Sequence, residues 1–146
     1  MTSTSDIEQL FSTLLQLGKL MSQHTQETHE ERTSTMLQFS ALQFLKEQSN
    51  GTVTELAKYL KLSKSSATQL VERLEKAGLV ERINDQEDRR IVRLVITQGG
   101  EKELISLKEK LIGKMKKIFS KIPAQDIREL IRIHTNLIES LRKEQI

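Results

Sequence analysis

Two short stretches of the sequence hold side chains whose types and spacing could do chemistry. In the first, Lys64, Ser65, Ser66, Thr68 and Gln69 crowd the opening of an apolar-periodic segment, with Arg73 one helical turn further on. An ammonium, short hydroxyls and a carboxamide reach phosphate oxygens and base edges without a bulky clash, and a glutamine amide can pair with adenine N6 and N7 in a major groove. In the second, NDQEDRRIVRLVIT at residues 84–97, acidic and amide side chains precede the paired Arg89 and Arg90, and an alternating apolar run follows. An arginine at the tip of a projecting hairpin can enter a minor groove and sense its width and negative potential. Asp85, Glu87 and Asp88 would repel phosphate if they faced it. At least one must therefore turn inward and orient an arginine through a charge-assisted hydrogen bond. Asp88 is favoured for that task, with Arg89 or Arg90 as the probe.

The elements that must hold these groups are predicted from periodicity. Ile7, Leu10, Phe11, Leu14, Leu15, Leu17 and Met21 predict an amphipathic helix over residues 6–29, behind a disordered polar tail. Residues 34–48, with Met36, Leu37, Phe39, Ala41, Leu42, Phe44 and Leu45, predict a helix buried on most sides and stopped by Asn50 and Gly51. Thr52 and Glu55 fit a capping box that opens a short helix over 53–60. Ser63 is a strong N-cap type for a second helix over 64–77, whose Ala67, Leu70, Val71 and Leu74 share one face and which Gly78 stops. Two short helices joined by a tight turn predict a helix-turn-helix. Leu79 to Asn84 and Arg90 to Thr97 predict strands around a loop over 85–89, which makes the hairpin a wing. Gly99 and Gly100 punctuate. A long helix from Leu104 to Ile122 then ends at Pro123, and Ile127, Leu130, Ile131, His134, Leu137, Ile138 and Leu141 mark a last one.

Composition narrows the function classes. With no cysteine, disulfides, thiolate metal sites and thiol redox sensing are excluded, and a reducing cytoplasm is the expected home. No apolar run approaches the ~20 residues of a membrane span, and no signal-peptide layout opens the chain. One proline and six glycines suit a mostly helical protein. The formal net charge of +3 does not by itself identify a nucleic-acid binder. Residues 52–98 nevertheless carry nine basic and seven acidic groups, which allows a basic face if the acidic groups point elsewhere. His24, His29 and His134 are the only histidines and form no His-x-x-x-His pair, so no metal site is expected. There is no glycine-rich phosphate loop and no nucleophile with an evident base, so neither a cofactor nor an enzymatic activity is expected. His134 is expected as a hydrogen-bonded interface histidine.

Three apolar helices lie outside the winged unit, which is too small to cover them. A two-fold dimer is the economical cover, with Ile7, Leu10, Phe11 and Leu14 on one side of the chain and Ile127, Leu130, Leu137 and Leu141 on the other as its expected interface.

The stretch TVTELAKYLKLSKSSATQLVERLEKAGLVERINDQEDRRIVRLVITQGG resembles the MarR family of winged helix-turn-helix regulators, and the flanking helices follow that family's order. DQEDRR is similar to the family's wing signature, in which an aspartate two residues before an arginine supports it at the wing tip; by position these are Asp88 and Arg90. Glu87 stands where many members carry a basic residue and Gln69 where arginine is frequent, which bears on target sequence and wing affinity. The resemblance implies a homodimer on a near-palindromic double-stranded operator, commonly a repressor, released by a small aromatic or acidic ligand at the junction of the dimer helices and the winged lobe. The expected fold is mainly α with a small β element. A tail and dimerisation helix (1–33), a winged helix-turn-helix domain (34–98) and C-terminal dimerisation helices (99–146) form one compact chain. The alternative is a winged-helix protein-interaction module without DNA readout, against which the intact Ser65, Ser66, Gln69 and Arg90 argue.

Overall fold

In the computed structural model, which describes residues 1–24 and 28–144, the chain has the order α1 (Thr4–His24), α2 (His29–Glu47), α3 (Val53–Leu60), α4 (Lys64–Lys76), β1 (Val80–Asn84), β2 (Val92–Ile96), α5 (Gln98–Phe119) and α6 (Ala124–Glu144). It is mainly helical with one two-stranded antiparallel sheet, and it divides into two compact units, Met1–Ile112 and Gly113–Ile146.

The core of the first unit is built where the apolar periodicities meet. Leu42 and Leu45 of α2, Leu56 of α3, Val71 of α4, Val80 of β1 and Leu94 of β2 are fully buried, and Leu104 and Leu107 of α5 close over them. Truncating any of the buried leucines to alanine costs about 2–5 kcal/mol, because the methyl groups lose both their transfer energy and their packing partners. The strands pair with Arg82 opposite Leu94 and Val80 opposite Ile96. The sheet gains a third partner that periodicity did not predict: Gly51 bridges to Leu94, whose amide donates to the Gly51 carbonyl at 2.7 Å. Gly51 is required there, since a Cβ would meet the Phe44 ring at 2.9 Å.

Element boundaries differ from the periodic reading for local reasons. No polar tail precedes the first helix beyond residue 3, because Ser3 caps α1: its Oγ accepts from the Asp6 amide at 3.1 Å and its own amide donates to Asp6 Oδ2 at 3.1 Å. The Ser3 hydroxyl, which donates to Asp6 Oδ2 at 2.7 Å, and second the Ser3 amide hold the Asp6 carboxyl below its usual range. The expected 6–29 helix is not one element; it ends at His24, residues 25–27 lie outside the described residues, and His29 already opens α2. A full capping box sets that start, with the Glu31 amide donating to Thr28 Oγ1 at 3.1 Å and the Thr28 amide to Glu31 Oε2 at 2.7 Å. At α3 only half of the expected box forms. The Glu55 amide donates to Thr52 Oγ1 at 3.1 Å, while the Glu55 carboxylate turns to Arg93.

The strands are shorter than expected and the wing loop, residues 85–91, correspondingly longer. Gly99 and Gly100 do not separate elements; they form the first turn of α5, where the Gly100 amide donates to Thr97 Oγ1 at 3.0 Å. Gly100 is demanded by close approach, because a Cβ would lie 2.1 Å from the Leu79 carbonyl oxygen. In the second unit, Pro123 starts α6: its carbonyl accepts from the Asp126 and Ile127 amides at 3.0 and 3.2 Å. No residue of α6 is buried.

Candidate nucleic-acid interface

A left-handed residue makes the tight turn between α3 and α4. Lys61 adopts φ +53°, its amide donates to the Lys58 carbonyl at 3.3 Å, and the Leu62 amide returns to the Ala57 carbonyl at 2.9 Å. Ser63 then caps α4, accepting from the Ser66 amide at 3.0 Å and donating to Ser66 Oγ at 2.9 Å. With Ala67, Leu70, Val71 and Leu74 buried, the opposite face of α4 is turned to solvent. Lys64, Ser65, Ser66 and Gln69 are exposed there, Ser65 and Gln69 one turn apart on one stripe. Thr68 is half-buried and donates its hydroxyl to the Lys64 carbonyl at 2.8 Å. Arg73 is exposed on the flank of α4, beside a groove of about 800 Å³ that Glu30, Glu31 and Lys110 also line.

The wing tip is organised by carboxylates. Asp88 holds Arg90 in a fork, with Arg90 Nε 3.1 Å from Oδ1 and Nη2 3.2 Å from Oδ2, and Oδ1 also accepts from the Arg90 amide at 3.0 Å. The Arg90 side chain, and second its amide, keep the Asp88 carboxyl below the usual carboxylate range. The Arg90 side chain stays 91% exposed, so it is oriented without being withdrawn from solvent. Arg89 and Glu87 are exposed at the same tip. Asp85 is the other carboxylate that turns inward: Oδ2 accepts from the Asp88 amide at 3.3 Å, and Oδ1 lies 3.7 Å from Arg93 Nε.

Arg93 is a residue that periodicity did not single out. Strand alternation places it opposite Leu94 on the outer face, yet it is half-buried, and Nη1 lies 3.3 Å from the Asn50 carbonyl and 3.8 Å from Glu55 Oε1. A partner 43 positions away leaves no local signal.

The apolar positions outside the winged core are exposed. On α1, Ile7, Leu10, Phe11 and Leu14 face solvent, as do Leu130, Leu137 and Leu141 on α6, where Ile127 is half-buried. His134 Nδ1 lies 2.7 Å from the Leu130 carbonyl oxygen. Among the described residues no group of three His, Cys, Asp or Glu is placed to hold a metal ion, and no helix is long and apolar enough to cross a membrane. A second groove, also about 800 Å³, lies where α1, α2 and α3 meet, lined by Gly18, Ser22, Arg32, Met36, Leu37 and Tyr59. Arg32 Nη2 donates to Ser22 Oγ at 2.8 Å, while its buried Nε has no partner among the described residues. Tyr59 stacks on Phe44 with ring centroids 4.9 Å apart, tying this groove to the core.

Two short helices across a tight turn, followed by an arginine-tipped hairpin, define a winged helix-turn-helix protein. The chain belongs to the MarR family, whose members are DNA-binding transcriptional regulators: the MarR family model matches residues 34–92. It is 32% identical over 119 residues to the uncharacterised HTH-type transcriptional regulator YsmB of Bacillus subtilis (strain 168), covering 80% of each chain. To the HTH-type transcriptional repressor MdtR of the same organism it is 25% identical over 122 residues, covering 82% of this chain and 77% of MdtR. A solved structure of a MarR family protein from Bacillus stearothermophilus is similar at a TM-score of 0.61 and 26% identity, covering 93% of this chain and 90% of that one.

Proposed function

We propose that the chain is a homodimeric, sequence-specific regulator that represses transcription from a near-palindromic operator and is released by a small acidic or aromatic ligand. The observation that carries this reading is the exposed Ser65 and Gln69 stripe of α4 beside an Arg90 already oriented by Asp88. In that reading Lys64, Ser65, Ser66, Thr68, Gln69 and Arg73 address one major groove, and Arg89 and Arg90 address the adjacent minor groove. Dimerisation is supported by the exposed apolar faces of α1 and α6, which water alone would leave uncovered at about 25 cal/mol per Å². Repression is supported by likeness to MdtR, which is named as a repressor. A ligand is supported by the groove at α1, α2 and α3, lined by apolar Met36, Leu37 and Tyr59 and by Arg32, whose buried Nε has no partner among the described residues. Such a regulator works in the cytoplasm, where its operator is.

Selection of bound duplexes from a random-sequence pool tests the reading. It should enrich two inverted half-sites whose centres lie about 34–36 Å apart, one helical turn. Binding should weaken with salt at a slope of about 0.9 per neutralised phosphate. No enrichment, or enrichment of a single unpaired half-site, would remove the proposal.

A further inference from the structure

We infer that Arg93 is a positioning residue for DNA binding: it clamps the wing to the start of the helix-turn-helix and so fixes where Arg90 stands relative to α4. The inference deepens the DNA-binding reading and rests on it.

The wing needs such a clamp. A two-stranded hairpin is marginal on its own and twists freely. Its base is secured, because Leu94 is fully buried and bonded to Gly51, and the Thr97 amide donates to the Leu79 carbonyl at 3.0 Å. Beyond Leu94 the hairpin leaves the core: Ile83, Val92 and the tip are exposed. Arg93 is the residue at that departure, and its side chain is only 27% exposed.

One guanidinium there serves three elements. It reaches the Asn50 carbonyl behind α2, the Glu55 carboxylate in the first turn of α3, and Asp85 at the mouth of the wing loop. Asn50 is turned to this task by its left-handed backbone, φ +65°, a conformation asparagine tolerates better than most residues. Asp85 passes the constraint on, since its second oxygen holds the Asp88 amide and Asp88 in turn forks Arg90. Each ion pair, at 3.7–3.8 Å and partly exposed, contributes little to stability. Their shared planar guanidinium restricts orientation instead, which a lysine ammonium on a flexible stem would do less well.

The test uses the full chain and Arg93→Met, which keeps an unbranched apolar stem over the core, together with Arg93→Lys and Asp85→Asn. In free protein, ¹⁵N order parameters of the 85–91 amides should fall in Arg93→Met while the melting temperature holds. This readout needs no DNA. Against a fluorescein-labelled duplex selected by the unsubstituted protein, Arg93→Met should lose about fivefold in affinity, within the coupling range of residues in one network. Arg93→Lys should recover only part of the loss. In an Arg90→Ala background Arg93→Met should cost nothing further, because there is no probe left to place. Asp85→Asn should also weaken binding, whereas an Asp85 that merely repels phosphate would give tighter binding when neutralised. Unchanged wing order in Arg93→Met overturns the inference, as does an equal loss with and without Arg90, which would mark Arg93 as a direct phosphate contact. Intact wing effects with no duplex selected by the unsubstituted protein would instead overturn the DNA-binding reading.

Discussion

Removing the Asp88 carboxylate separates two opposite accounts of an acidic group beside DNA. Asp88 makes three hydrogen bonds to Arg90, two to the guanidinium and one to its amide. Without them, a side chain that is 91% exposed must be ordered at the moment of binding. Immobilising such a side chain costs about 0.5–1.5 kcal/mol, so Asp88→Ala should weaken operator binding by about 2- to 13-fold per wing. Arg90→Ala should cost more, about 5- to 150-fold, since it deletes the contact itself, and it should lower the salt slope by about 0.9. The double variant should cost less than the two single changes combined, because Asp88 acts only through Arg90. Neither change should move the melting temperature appreciably, as an exposed pair adds little to folding. Fluorescence anisotropy of all four proteins on one labelled duplex at fixed salt decides the matter. Tighter binding by Asp88→Ala would show that the carboxylate faces the phosphates and would refute this account of the wing.

Four further outcomes can be measured. The Asp88 carboxyl, depressed by Arg90, should titrate below the ordinary carboxylate range by ¹³C NMR and return upward in Arg90→Ala; the fork's contribution is full above the ordinary aspartate pKa and is lost only as pH falls through the depressed one. Gly100→Ala, whose Cβ would strike the Leu79 carbonyl, should lower stability by about 1–3 kcal/mol in a chemical melt. Ser63→Ala removes the α4 cap and should cost about 1 kcal/mol by the same assay. Leu137→Glu or Leu141→Glu, on the exposed face of α6, should give monomer or aggregate by light scattering, and an unaltered dimer would place the interface elsewhere.

The winged unit was readable because its signals are local. Ser63 announces α4, and the four apolar residues behind it declare its inner face. The same locality hid the start of α2, where HEERTST carries no apolar period, although the Thr28 and Glu31 spacing that caps it was present in the sequence. Glycine was ambiguous for a physical reason: Gly78 takes φ +75° at the end of α4, whereas Gly100 answers to a neighbouring carbonyl that only the folded chain brings near. Arg93 was invisible because two of its three partners, Asn50 and Glu55, lie about 40 positions away in the sequence.

That placement gives α3 a double role. Its C-terminal end presents Tyr59 and Leu60 to the groove that contains Arg32, and its N-terminal end presents Glu55 to Arg93 and hence to the wing. The helix has eight residues, a rigid span of about 12 Å, and its inner face is fixed by the fully buried Leu56. A ligand in the groove could alter DNA affinity only by preferring one position of the elements that form the interface. Tyr59 is stacked on Phe44, and Phe44 packs against Gly51, the residue that carries the Leu94 bridge. Displacing Tyr59 would therefore press on the Gly51 bridge at the hairpin's base, on the Glu55 and Arg93 contact above it, and on α4, whose buried Leu70, Val71 and Leu74 share a core with Leu56 of α3. In the proposed ligand-responsive reading, a ligand in the groove would bear on the wing and on α4 together.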